Sequence, residues 1–491
     1  MSVKMGNYSA MSGSGDATSE IEFKNQLELM QDMNLADLAF LLELRRINLI
    51  SPDDFKNVSA GLNNLRKVSA SEFDPKTGDV FVNRLVWLHK KGHVEADVLV
   101  MGRARRESVT TALHLVLRRK VLKTIEYYSD LVEKLISLAE THARTLCVEY
   151  TYWQPAQAGT FGHFVLHFIY PMLRDLERFE KQFQIWNLYP GGIGATNGST
   201  LPIDRESLAR SLGFQGVVRH CRDAMWRGDV VAEMYTTLGV AAMNLSRLAQ
   251  DFQILASKEF SVLKWPESGS RKSYVMPQKN NPYGLCVVRG IASELMGRLS
   301  AVFMAQHTAS GQIDNRLFAY GSLPQAMDYF WEALFHLSAV DQIVVDEAQM
   351  LKHLENSGVQ TSYLAELLVA RFQLPYARVH EILKAMDWTF ESTGDVLAEK
   401  LRTAFDISFE PKEIKDLVVR TQNFREQIDL RNGYGGTSAT QVKAMTDEIR
   451  DRLKTVRVRA SANLGMNEKI EAGIWSNTGY IGSDGHGRTS V

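Results

Sequence analysis

Ser273-Tyr-Val-Met276-Pro277-Gln-Lys279-Asn-Asn281-Pro282 is the stretch that decides how the rest of the chain is read. It places a hydroxyl, an ammonium and an amide within nine residues, framed by two prolines. A helix-compatible run starts at Tyr283, and the polar, small-residue segment Glu267-Ser-Gly-Ser-Arg-Lys272 comes before it. A loop running into a helix N-terminus is a ready anion site, because its free backbone N–H groups and the helix dipole both favour negative charge. Lys279 adds a full positive charge. A serine held in that field has its alkoxide form favoured. Ser273 could then take a proton from carbon when a substrate carboxylate sits among the same donors. The plainer reading of Ser, Asn and Pro near a helix start is caps and turns.

The surrounding sequence limits the function classes. At 491 residues, with 45% apolar and 23% charged residues, the composition is that of a soluble protein with two or three domains and a large core. A formal net charge of −1 gives no reason to expect a nucleic-acid or membrane partner. Cys147, Cys221 and Cys286 are too few and too scattered for a disulfide framework or a zinc site, and they suit a reducing, cytoplasmic setting. The Ser/Gly/Asn-rich start lacks a signal-peptide pattern. The longest apolar stretches, such as 164–173, are too short and interrupted to span a bilayer.

Helical periodicity dominates. From Ile21, apolar residues recur at three- to five-residue steps through Ile47, and Ser51-Pro52-Asp53-Asp54 reads as a helix start. Long amphipathic runs follow over 112–138, 161–183, 230–256, 284–303 and 325–343, and strand signals are nearly absent. Helices this long and apolar on two sides predict an all-α bundle buried by oligomerisation. Loops are expected over 187–202, 267–282, 309–324 and 430–438. The Gly/Ser/Asn-rich segment beyond Leu464 reads as a tail.

The opening stretch resembles the signature loop of the fumarase/aspartase superfamily, Gly-Ser-Ser-x-Met-Pro-x-Lys-x-Asn-Pro. Met276, Pro277, Lys279, Asn281 and Pro282 match at the right spacing, and Ser273 falls on the family's catalytic serine. Lys272 stands where the family has Gly, and Tyr274 where it has the second Ser. Other segments are similar to the argininosuccinate lyase branch. They include Gly102-Arg-Ala-Arg-Arg-Glu-Ser-Val109, Tyr150-Thr-Tyr-Trp-Gln-Pro-Ala-Gln157, Thr160-Phe-Gly-His163 and Gly192-Ile-Gly-Ala195. Leu201-Pro-Ile-Asp-Arg-Glu206, Leu245-Ser-Arg-Leu-Ala-Gln-Asp251, Ala377-Arg-Val-His-Glu-Ile382 and Gly435-Gly436 complete the series.

The resemblance implies a three-domain all-α fold. A flexible tail (1–20) and a helical domain (21–102) would precede a long central bundle (103–354) carrying the loop 267–282. A helical C-terminal domain (355–464) and a tail (465–491) would follow. It implies a homotetramer whose active sites each combine the Gly102, Thr151 and Ser273 regions of three subunits. It also implies elimination of fumarate from a substituted succinate with no metal or organic cofactor.

In that scheme Ser273 is the base, and Lys279 and Asn281 hold the doubly charged aci-carboxylate. Arg105, Arg106, Thr151, Gln154, Arg316 and Lys272 are the expected contacts to a small dicarboxylate substrate. Tyr152 replaces the family's His, and it either donates a proton, as a different acid from histidine, or fills space. The family's Ser-Arg-Asn triplet is here Ala104-Arg105-Arg106. Its Tyr-Asn-Arg is Asp314-Asn315-Arg316, its nearby Gln is Ala319, and its Ser-x-Ala-His is Asp37-Leu-Ala-Phe40. Asp37 and Asp314 could hold an amine or pair with arginines.

His163 reads as a satisfied core histidine, and His89 and His93 lack a third metal ligand. Three functions are compatible with this pattern. The first is a lyase acting on another succinyl amine, in either direction, as in a specialised biosynthetic pathway. The second is argininosuccinate lyase itself, and the third is a non-catalytic crystallin-like relative.

Overall fold

The computed structural model describes residues 17–386 and 393–476. Helices α1 (Ala17–Leu27), α2 (Met30–Arg46), α3 (Pro52–Leu65) and α4 (Val80–Lys90) open the chain. The start of α3 is as the sequence predicts. Ser51 Oγ accepts from the Asp54 N–H at 3.0 Å, and the Asp54 carboxylate accepts from the Ser51 N–H at 3.3 Å. The N-terminal tail expected over 1–20 is shorter by its last four residues, which form the first turn of α1; residues 1–16 lie outside the described residues.

The centre is built from α5 (Arg105–Thr141), α6 (Phe161–Trp186), α8 (Gly228–Leu255), α9 (Tyr283–Gln306) and α10 (Leu323–Leu337), with the short α7 (Arg205–Ser211) beside them. At 37 residues α5 is about 55 Å long. It packs along α6 and α10, while α8 packs along α9. α6, α8 and α9 start and stop within three residues of their expected runs, whereas α5 begins seven residues earlier than expected and α10 ends six residues earlier. Trp186, Phe252 and Phe330 are fully buried between them, each worth about 1.5–3 kcal/mol relative to exposure. A five-residue π segment, Arg316–Tyr320, lies inside the stretch expected as a loop.

Strands contribute little beyond one hairpin. β1 (Leu146–Thr151) and β2 (Gln154–Thr160) pair antiparallel, with an irregularity between Glu149 and Tyr150. The two-residue pairs β3 (Leu188–Tyr189) with β4 (Gly216–Val217), β5 (Leu263–Lys264) with β8 (Val344–Val345), and β6 (Arg271–Lys272) with β7 (Asn280–Asn281) clip loops together.

Towards the C-terminus come α11 (Glu347–Glu355), α12 (Gln360–Phe372), α13 (Tyr376–Lys384), α14 (Thr393–Phe405), α15 (Pro411–Arg420) and α16 (Phe424–Leu430). Leu364, Leu368, Leu383, Leu401 and Ile414 form a separate small core among them. The final helix α17 (Ala439–Ser476) returns along α5 and α6. The tail expected from residue 465 is therefore corrected over 465–476. Composition there is polar, but Ile474 is buried and Ile470 and Trp475 pack on the main core, so a sparse apolar face is enough to dock the helix. Residues 477–491 lie outside the described residues. No helix among the described residues is long and apolar enough to cross a membrane.

A buried ionic knot ties the N-terminal helices to the start of α5. Asp37 on α2 receives Arg84 from α4 at 2.6 Å, Arg103, and the Ser108 hydroxyl at 2.8 Å. Burial pushes the Asp37 carboxyl up, but the Arg103 and Arg84 guanidiniums outweigh it and hold it below the usual carboxylate range. Replacing Asp37 by Asn leaves two buried guanidiniums uncompensated. The expected cost is about 3–5 kcal/mol, read as a drop in the urea midpoint. A variant with wild-type stability would show that the knot is dispensable.

Candidate active site

The N-terminus of α5 carries the first group of site residues. Glu107, buried in the first turn, accepts from the backbone N–H groups of Ala104 (3.0 Å), Ala195 (3.0 Å) and Ile193 (2.9 Å). It thus binds the Gly192-Ile-Gly-Ala195 loop to the helix start. Gly192, Gly194 and Ala195 all have positive φ, and a Cβ on Gly194 would meet the Gly198 carbonyl oxygen at 2.5 Å. With residues 103–108 held in this way, Arg105 and Arg106 line a cleft of about 40 Å³. Arg316 enters it from the π segment, and Glu22 and Asp79 close it from α1 and the cap of α4.

The three guanidiniums are unequally compensated. Arg105 lies 3.1 Å from Asp79 and 3.9 Å from Glu22, whose carboxyl burial raises above its ordinary value. Arg316 donates to Thr110 Oγ1 at 2.8 Å and to the Met225 carbonyl at 3.1 Å, and it pairs with no carboxylate among the described residues. Burial, with the charges of Arg106 and Arg105 adding to it, brings Arg316 down to about 10. Arg106 sits over the Trp226 ring at 5.8 Å. It too has no ion pair among the described residues, and burial and Arg105 lower it. Two unpaired cations in a half-buried cleft suit a carboxylate-bearing ligand.

The second group sits on the β1–β2 turn. Thr151 faces Gln154 across a two-residue turn of Tyr152 and Trp153, both at positive φ (54° and 56°). This tight turn favours Asn-Gly, so two bulky residues there cost of order 1 kcal/mol or more each. Tyr152 is 98% exposed, and Thr151 and Gln154 are exposed beside it. Behind the turn, His163 meets the Gly435 carbonyl through Nε2 at 3.1 Å and Glu149 through Nδ1 at 3.6 Å, so it is satisfied as expected, though only half-buried.

The third group is the signature loop. Ser273 Oγ accepts from the N–H groups of Val275 (3.3 Å) and Met276 (3.0 Å), an arrangement that favours negative charge on that oxygen. The loop closes through Ser273 N–H to the Lys279 carbonyl (3.2 Å) and Lys279 N–H to the Met276 carbonyl (3.0 Å). The Lys279 ammonium pairs with no carboxylate among the described residues. Asn281 gives its amide to the Arg271 carbonyl at 3.0 Å, bracing β6 against β7 rather than facing outward. Lys272 faces Glu267 at 3.6 Å with both side chains exposed, a solvated pair.

The structure therefore brings Arg105, Arg106 and Arg316 together but leaves the turn and the loop apart from them in one chain. No hydrogen bond or ion pair among the described residues joins the three groups. Asp37 is committed to Arg84 and Arg103, and Asp314 Oδ1 is buried without a hydrogen-bond partner. His89 pairs with Asp97 at 2.8 Å and His93 with Asn57 at 2.5 Å. The sequence reading missed Glu22, Asp79, Trp226 and Tyr320. Of these only Asp79, a helix cap before an apolar run, carries a local signal.

A family model described as Lyase matches residues 62–297. Argininosuccinate lyase of Geobacillus thermodenitrificans is 28% identical over 447 residues, covering 87% of this chain and 94% of that protein. By sequence the chain is similar to argininosuccinate lyases along most of its length. Solved structures agree with this fold. EDDS lyase in complex with formate superposes with a TM-score of 0.81 at 22% identity, covering 95% of this chain and 96% of that one. An EDDS lyase variant with bound fumarate gives 0.81 at 21%, with the same coverage.

Two outcomes are expected from this geometry. Arg106→Met removes an unpaired cation, so it should raise the stability of the ligand-free protein by about 1 kcal/mol. It should also abolish the rise in Tm that succinate gives the wild type. Lower stability with the succinate response intact would contradict the anion-site reading. The second outcome concerns His163, whose folded pKa is raised chiefly by the Glu149 carboxylate beside it. A raised histidine stabilises fully below its ordinary pKa of about 6.5 and loses that contribution as pH rises through the folded value. The Tm difference between wild type and His163→Gln should therefore be largest on the acid side and shrink towards alkaline pH. A difference independent of pH would remove the Glu149 pair from the stability balance.

Proposed function

We propose that the protein is a carbon–nitrogen lyase that eliminates fumarate from an N-substituted aspartate, or adds an amine to fumarate, and that its natural substrate is not argininosuccinate. The unpaired cations of Arg106 and Arg316, sharing one cleft with Arg105, carry this reading. They call for more carboxylate than a single cation would. Arg106 replaces an amide of the family pattern, and Ala104 replaces a hydroxyl. A site built for one hydrogen-bond pattern rejects a substrate with another, because buried polar groups are left unpaired.

The mechanism follows from the loop and the turn. Ser273 Oγ, already accepting two N–H groups, takes the proton from the carbon beside a substrate carboxylate. The electron pair moves into that carboxylate, giving the aci form, against which Lys279 sets its charge. The C–N bond on the next carbon then breaks, fumarate forms, and the amine leaves with a proton. In this reading Tyr152, exposed on a strained turn, gives or relays that proton, and Thr151 and Gln154 hold the carboxylate beside it.

The three groups lie apart in one chain and meet in a homotetramer, each site taking the arginine cleft, the turn and the loop from different subunits. The protein works in the cytoplasm on small dicarboxylates. The fumarate held by the EDDS lyase variant supports fumarate as the shared product. The names of the curated relatives favour argininosuccinate instead.

Purified protein given fumarate with a panel of amines and amino acids, and N-substituted aspartates in the other direction, should show adduct formation or fumarate release for an acidic member of the panel. Argininosuccinate should react poorly. Ser273→Ala should lower turnover by about 10²–10⁴-fold while staying folded. Efficient argininosuccinate cleavage would favour the arginine-pathway reading, and near-normal turnover in Ser273→Ala would remove the serine from the mechanism.

A further inference from the structure

Beneath the Tyr152 turn lies a second cleft, of about 240 Å³, that shares no lining residue with the arginine cleft. Tyr150, Trp153, Phe161 and Phe164 line it together with Tyr152, Cys147, Asp251 and His353. The rings are held by neighbours. Tyr150 and Trp153 each meet Phe260 edge-on at 5.5 Å, and Phe161 stacks with Phe164 at 5.8 Å. His353 is engaged with Gln349 at 2.9 Å.

Asp251, in the last turns of α8, has no hydrogen bond and no ion pair among the described residues. Burial raises its carboxyl above the ordinary range, and the exposed Arg247 one turn earlier only partly opposes this. The cleft thus offers one unpaired carboxylate and several ring faces, all negative. An inorganic divalent ion needs several oxygen ligands, and no metal-binding cluster of His, Cys, Asp and Glu occurs among the described residues. An organic ammonium needs only one counter-charge and aromatic faces to replace its water.

We propose that this cleft is a second ligand site for a small aryl- or alkylammonium ion, its charge on Asp251 and its apolar body among the four rings. Tyr150 on β1 and Trp153 in the turn line it from the same hairpin as Tyr152, so occupancy fixes the tip of the hairpin. Tyr152, the proton donor proposed above, also borders this cleft, and an amine released by such a lyase is of the same chemical class; binding at Asp251 does not itself require that chemistry.

Calorimetric titration of the full-length protein with phenethylammonium chloride tests it without any activity readout. Saturable binding at one ion per chain is expected. It should weaken at least about tenfold in Asp251→Asn and similarly for the neutral phenethyl alcohol. Should Asp251→Asn fail to fold, Phe164→Leu and Trp153→Leu carry the same comparison. Hydrogen exchange should show protection of residues 147–154 by the ion in the wild type and none in Asp251→Asn. No saturable binding, equal affinity in Asp251→Asn, or protection confined to the 267–282 loop would each overturn the proposal.

Discussion

Asp37 is the fixed point on which the arginine cleft depends. One buried carboxylate gathers Arg84 from α4, Arg103 from the strand-like approach to α5, and Ser108 from its first turn. Buried charge of this kind gives little net stability, since desolvation takes back most of the Coulombic gain. Its effect here is positional. With residues 103 and 108 both fixed, and Glu107 bound to the Gly192–Ala195 loop, Arg105 and Arg106 have nowhere to point except the cleft shared with Arg316.

That arrangement leaves the molecule with like charges held close in partly buried surroundings. Arg316 feels Arg105 and Arg106, and of the three only Arg105 forms ion pairs with carboxylates among the described residues. The exposed turn adds a second local cost through two left-handed bulky residues. Both costs fall at the places where the family pattern locates substrate contacts, and both are carried by the rigid bundle around them. This is the usual division between a well-packed scaffold and a site held away from its own optimum.

Much of the scaffold was legible in the sequence. The long helices appear as apolar periodicity because tertiary packing and the 3.6-residue repeat demand the same residues, and α6, α8 and α9 all fall close to their expected runs. The end of α17 was not legible, because a few apolar residues among many polar ones dock it. The β1–β2 hairpin was passed over for a related reason. Its turn residues, Tyr152 and Trp153, are the opposite of turn formers. The arginine cleft was half legible: Arg105, Arg106 and Arg316 were named from motif matches, but Glu22 and Tyr320 line it without any local signature. Asn281 shows the limit of motif reading, since its amide braces β6 and β7.

One tie has a bearing on how the chain is made. Arg118, fully buried in α5, has Glu471 as its carboxylate partner at 3.3 Å, 353 residues further along, and Arg119 reaches the same oxygen at 2.9 Å. At typical rates of synthesis that carboxylate emerges roughly 18–70 s after the arginine. Until then the central helix carries a core cation whose counter-charge has not been translated. The bundle can therefore reach its final charge balance only after the ribosome has nearly finished, and any early collapse around α5 must leave an opening for the last helix.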